Sequence, residues 1–208
     1  MPFVATLSPG EQREAARRYQ GGMSAQQVAD SFGIKIDAVY YALRRLQVSR
    51  RTAAETNQIR FEAKPLSFKL KTRLTPREKR LKLAALMLYW AEGYKAGTQM
   101  VDFANSDPGV ALIFKKFLSE ICQVDERRIR GHIYCYEGQN VVELTRYWSQ
   151  LLSIPETQFI KPYVKKAAVP GPRGPRMIHG LVHVCYSDKK LLRQILAWIG
   201  ECRQDLTK

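Results

Sequence analysis

Nine consecutive apolar residues, Leu83 to Ala91, run into a single acid, Glu92, and Gly93, Tyr94 and Lys95 follow. A carboxylate can hold a hard divalent cation through oxygen. A lysine three residues on can hold a phosphate or neutralise charge that develops there. The same two residues serve equally well as a helix-end carboxylate with a structural hydrogen bond and a solvated ammonium. A second set, Lys35, Asp37, Tyr40, Tyr41, Arg44 and Arg45, has different chemistry, and Arg50 and Arg51 follow it. Lysine can donate to guanine, and tyrosine and arginine reach bases or phosphate. Further on, Lys161, Lys165 and Lys166 flank Pro162 and Tyr163 and lead into "AAVPGPRGPR". That segment suits either a DNA-tracking arm or a solvated loop.

Cysteine and histidine suggest less. Cys122, Cys135, Cys185 and Cys202 show no CxxC pairing, and His132, His179 and His183 are not spaced as ligands beside them. All seven are expected to be reduced core or surface residues, with no zinc site and no disulfide frame. Tyr134, Tyr136, Trp148 and Trp198 stand at core-like spacings and are expected to pack inside.

Charge is more informative. The chain carries 34 Lys/Arg against 19 acids, a net charge of +15. The excess is local: residues 44–80 hold 12 Lys/Arg and 3 acids, and residues 157–187 hold 5 Lys/Arg and no acid. Residues 81–156, with 8 Lys/Arg and 9 acids, are close to neutral. Concentrated positive charge binds polyanions by releasing their counterions, so duplex DNA is the expected partner. The longest apolar run is half of what a bilayer span needs, and the N-terminus lacks a basic start before an apolar core. A cytoplasmic location is expected, at the nucleoid if the source is prokaryotic, with neither a membrane nor a small-molecule substrate as partner.

The elements that must position these residues can be traced along the chain. Ser8-Pro9-Gly10-Glu11 starts a helix that runs to about Tyr19. Ser24 caps "SAQQVADSF", with Gln27 three residues on as in a capping box. Gly33 supplies a sharp turn, and a third helix spans about Lys35 to Leu46 with Val39, Leu43 and Leu46 inward. The order S-x-x-x-V-A-x-x-F-G-I followed by V-x-x-x-L-R-R in "MSAQQVADSFGIKIDAVYYALRRLQVSRR" resembles resolvase- and regulator-like helix-turn-helix domains. Lys35 stands where a serine or threonine cap is usual, with Asp37 as a nearby acid. The resemblance implies that the third helix enters the major groove with Lys35, Asp37, Tyr40, Tyr41, Arg44 and Arg45 outward.

Residues 51–75 show no amphipathic period, and Pro65 argues against one long helix. They read as a basic linker between a first domain, residues 1–50, and a second, residues 76–208. Thr75-Pro76 opens a helix that ends at Gly93 and is apolar all round over its second half. Such a helix must be buried on every side. Its own sheet can cover one side, and a second copy of the helix can cover the other, with Ala84 and Ala91 on one face allowing close approach. Strands are expected at "TQMVDFANS", "RIRGHIYCYE", "QFIKPYV" and "LVHVCYS", with helices from Pro108 to about Ile121, over "VVELTRYWSQLL" and over "DKKLLRQILAWIGE". The fold class is α+β: an N-terminal all-α domain, then a sheet covered by helices on one side.

"LAALMLYWAEGYKAG", "VDFANSDPGVALIFKKFL" and "QFIKPYVKK" resemble the LAGLIDADG homing-endonuclease family over roughly residues 79–202. The resemblance implies a helix that packs on its counterpart at a two-fold interface and a saddle-shaped sheet over the major groove. It also implies that the terminal acid, here Glu92 beside Gly93, holds Mg2+ or Mn2+ at the scissile phosphates, with Lys95 as a catalytic partner. One copy of the motif implies a homodimer. Met87 stands where a small residue is usual between the paired helices. Two functions fit: a metal-dependent site-specific DNA endonuclease, and a non-catalytic DNA-binding regulator that keeps the fold.

Overall fold

The computed structural model describes residues 7–95, 99–166 and 177–208. The chain forms two units, Met1–Pro65 and Leu66–Lys208, and together they are α+β.

The first unit holds α1 (Pro9–Gln20), α2 (Ala25–Phe32), α3 (Ile36–Arg45) and α4 (Ala53–Ala63). Ser8 with Glu11, and Ser24 with Gln27, form reciprocal capping boxes that satisfy donors with no partner inside the helix. Gly33, at φ +64°, makes the turn from α2 to α3, a conformation that costs glycine nothing. Ala15, Ala16, Val28, Ala29, Val39, Ala42 and Leu43 are buried together as a small core. Leu46, expected inward, is instead 37% exposed at the end of α3.

The division of the chain differs from the linker reading of residues 51–75. Thr52 and Glu55 form a third capping box that starts α4, and Lys64 turns extended before Pro65, as a residue preceding proline must. No residue of α4 is buried, so no apolar period marks it. Residues from Leu66 onward belong to the second unit. Phe68 is buried and bridges to Val124, and the Lys69 and Lys71 amides donate to the carbonyls of Cys122 and Ile121. The Lys71 ammonium donates to Glu78 at 2.6 Å, and Glu78 also caps Thr75. Lys71 and then Thr75 hold the Glu78 carboxyl down at about 2.

The second unit contains α5 (Pro76–Glu92), β1 (Val101–Asn105), α6 (Pro108–Lys116), β2 (Ile129–Tyr136), α7 (Val141–Leu152), β3 (Tyr163–Lys165), β4 (Leu181–Tyr186) and α8 (Lys189–Leu206). α6 continues as a π-helical turn over Phe117–Ile121. The mixed sheet has the order β1-β4-β2-β3, antiparallel except for β2 with β3. β3 is shorter than expected: Phe159 makes one bridge to Gly131, and regular pairing starts at Tyr163. The Phe159 ring lies where a Cβ on Gly131 would stand, so that position requires glycine.

Alternation along the strands separates two faces. Val101, Phe103, Ile129, Ile133, Val182 and Val184 are buried in the core shared with α5 to α8. Asp102, Arg130, His132, Tyr134, Tyr136 and His183 lie on the open face. Tyr134 and Tyr136 therefore pack outside the helix-covered core, contrary to expectation, because the two-residue period of β2 assigns Ile133 and Cys135 inward. Trp148 is fully buried and donates to the His179 carbonyl, and Trp198 packs at the core's edge under the Lys82 ammonium.

Candidate nucleic-acid interface

In the first unit, α3 sends Val39, Ala42 and Leu43 into the core, and its period leaves one polar face outward. Lys35, Asp37, Tyr41, Arg44 and Arg45 are exposed on it. Lys35 is the N-cap and makes no side-chain cap; Asp37 supplies the acid that the helix N-terminus favours. Tyr40 is half-buried beneath the Arg50 guanidinium, 3.7 Å from its ring centre. Arg51, expected beside Arg50 on DNA, turns inward. Its guanidinium donates to the Gly22 and Met23 carbonyls and lies over the Tyr19 ring. Gly22, at φ +109°, turns the chain there, and Arg51 meets its carbonyl and that of Met23.

In the second unit, three aromatic rings fix the end of α5. Tyr89 stacks on Phe114 at 5.4 Å between ring centres, and Phe114 stacks on Phe103 of β1 at 4.3 Å. Gly93 then bridges to Phe103, and a Cβ there would lie 2.5 Å from the Tyr89 carbonyl oxygen. The chain thus leaves the helix directly into pairing with β1, and Glu92 stands exposed at that junction. It makes no hydrogen bond or ion pair among the described residues. Lys95 is placed differently from its expected role. Its ammonium donates to the carbonyls of Trp90 and Gly93, each at 2.9 Å, and so caps the negative end of α5. The Gly93 carbonyl, the only donor that glycine could offer a metal, accepts from that ammonium.

The outward side of α5 is apolar. Leu83 is 49% and Trp90 41% exposed, and Ala84 and Ala91 are exposed beside half-buried Met87. The opposite side, carrying Ala85, Leu86 and Tyr89, is buried in the core of the same chain.

Lys161, Lys165 and Lys166 are all exposed. Lys165 pairs with Tyr136 at the β3 edge. The basic loop that follows, residues 167–176, lies outside the described residues.

The open face of the sheet brings together residues that had not been linked. The Asp102 carboxylate of β1 lies 2.8 Å from His183 Nδ1, and Cys185 Sγ approaches the same carboxylate oxygen at 3.5 Å. The expectation that histidine and cysteine form no ligand cluster is therefore corrected for His183 and Cys185. Their local signal was H-x-C on a strand, which places both on one face. The third member comes from another strand. Burial and then the Asp102 carboxylate push the Cys185 thiol well up, so it is not a poised nucleophile. All four cysteines are free.

Comparison of the chain with protein-family models, with curated proteins and with solved structures returned no match.

Proposed function

We propose that the chain is a sequence-specific duplex-DNA-binding protein that acts as a metal-dependent, site-specific endonuclease in the form of a homodimer. On this reading the first unit is a helix-turn-helix domain and the second a LAGLIDADG-like domain. The observation that carries the nuclease reading is the end of α5: an exposed apolar side formed by Leu83, Ala84, Met87, Trp90 and Ala91 runs beside an exposed carboxylate, Glu92. Leaving that apolar side in water is unfavourable, and a two-fold copy of the same helix would cover it.

Pairing would bring two Glu92 carboxylates together, and their repulsion favours a bound cation. The fit rests on Glu92 alone in each chain, since the Gly93 carbonyl already accepts from Lys95. Mg2+ or Mn2+ held there supplies an activated water and stabilises charge on the leaving oxygen. Lys35, Tyr41, Arg44, Arg45 and Arg50 bind base edges and phosphate, while Lys161, Lys165 and Lys166 add phosphate contacts from the second unit.

The test is selection of the binding site from random duplexes, followed by incubation of the bound site with Mg2+ or Mn2+. Cleavage is expected, and Glu92→Gln should abolish it while DNA binding survives. Intact strands across a range of divalent metals would leave DNA binding without the nuclease. A second reading, a non-catalytic DNA-binding regulator, is favoured by Lys95, whose ammonium is held by helix carbonyls rather than presented outward.

A further inference from the structure

Asp102 and Cys185 are direct cross-strand partners in the β1/β4 ladder. His183 precedes Cys185 by two residues and so shares its face. Opposed residues on one face of an antiparallel pair approach closely, and the diagonal neighbour is within reach of a long side chain. One carboxylate oxygen, one imidazole nitrogen and one thiol sulfur consequently lie within 4.8 Å of one another. Among the described residues this is the one group of three or more such side chains placed to share an ion.

We propose that Asp102, His183 and Cys185 form a binding site for a borderline-soft divalent cation of the zinc type, separate from any cation held at Glu92. Zinc binds sulfur, nitrogen and oxygen at about 2.0–2.3 Å in a tetrahedron, which sets its donors roughly 3.3–3.8 Å apart. The sulfur–carboxylate separation of 3.5 Å already meets this, and the 2.8 Å separation of Asp102 from His183 Nδ1 needs to open by about half an ångström. His183 Nδ1 faces the Asp102 carboxylate oxygen that Cys185 Sγ also approaches, so the ring already turns toward the other two donors the nitrogen that would hold the ion. Cys185 is only 6% exposed and the other two side chains are largely covered, which keeps competing water away. The donor set also selects the metal: thiolate and imidazole suit zinc, whereas magnesium and calcium take oxygen.

Binding replaces the thiol proton with the cation; the proton leaves to solvent, and the sulfur–metal bond forms without any change of oxidation state. The three protein donors leave the fourth position to water. The bound ion joins β1, at the sheet edge, to β4 at the second position, and so acts as a clamp on the strand that receives the end of α5.

The experiment uses the full chain, reduced and stripped of metal with a chelator, and Co2+ as a spectroscopic probe. One Co2+ per chain is expected, with a thiolate-to-cobalt charge-transfer absorption that Zn2+ abolishes and Mg2+ does not. Cys185→Ser should remove the absorption and Cys202→Ser should keep it. Asp102→Asn should weaken Zn2+ binding by more than about 10–100-fold, the loss that removal of a group merely hydrogen-bonded to a ligand already causes. The absence of a charge-transfer band in the wild-type chain overturns the proposal, whatever the variants do. A band that survives Cys185→Ser in a folded variant overturns it too, since another thiol then holds the metal. Neither result bears on Glu92, whose test is magnesium-dependent cleavage.

Discussion

α3 and α5 both leave one side uncovered by their own unit, yet the uncovered sides are opposite in kind. The free side of α3 carries Lys35, Asp37, Tyr41, Arg44 and Arg45; that of α5 carries Leu83, Ala84, Met87, Trp90 and Ala91. Water tolerates the first arrangement at no cost, and a polyanion gains from it by counterion release. Water disfavours the second, and only another apolar surface relieves it. Exposure alone therefore does not mark a DNA-binding helix. On the proposed reading, the chemistry of the exposed side distinguishes the surface that meets DNA from the surface that meets protein.

The contrast can be broken most forcefully with salt. If the α3 side and the neighbouring basic residues contact six to ten phosphates, affinity for duplex DNA should fall by about 10³–10⁵ between 50 and 200 mM salt. Fluorescence anisotropy across that range checks it, and an affinity flat with salt refutes the α3 assignment. The α5 side should respond to charge instead. Ala84→Glu is exposed in a single chain and should fold, but at a helix pair it buries an unpaired charge at a cost of roughly 3–5 kcal/mol. Sedimentation should then show monomer in place of dimer, while Tyr41→Glu on α3 leaves the dimer intact. A wild-type chain that is monomeric both free and on DNA removes the pairing altogether.

Arg50 and Arg51 sharpen the contrast inside the first unit. Arg51→Ala loses two carbonyl hydrogen bonds and the Tyr19 stack, and should destabilise that unit by about 1–3 kcal/mol in denaturant melts. Arg50→Ala should leave stability nearly unchanged and weaken DNA instead. Arg44→Ala and Arg45→Ala should each weaken DNA binding about tenfold and reduce the salt slope by about one. Identical salt slopes for wild type and both variants would show that these guanidiniums do not meet phosphate.

The smallest effect concerns acid. The Glu78 carboxyl lies at about 2 in the folded chain against an ordinary 4.5. A depressed carboxyl contributes stability that is fully present above the ordinary value and is lost as pH falls toward 2. Glu78→Gln should flatten the stability profile of the second unit across that window and leave its slope above pH 5 unchanged. A profile that keeps its wild-type slope in the variant assigns the acid sensitivity to other carboxylates.

Local chemistry made much of this molecule legible in advance. Ser8, Ser24 and Thr75 cap helices through hydrogen bonds that span three residues, so the chain itself specifies where α1, α2 and α5 begin. The two-residue alternation of β2 and β4 identified strands because one face of a sheet must be apolar when helices cover it. The same local rule operates at Thr52 and Glu55, but the linker reading of residues 51–75 passes over it because α4 carries no apolar period. What the tertiary structure decided depends on residues far apart in the chain. Arg51 turns inward to meet the Gly22 and Met23 carbonyls, almost thirty positions earlier in the chain. Lys95 became a helix cap because pairing of Gly93 with Phe103 folded it back over the end of α5. Asp102 met His183 and Cys185 only through the register of β1 on β4, which packing of the buried face selects, since a slip by one residue would have turned every one of those side chains to the other side.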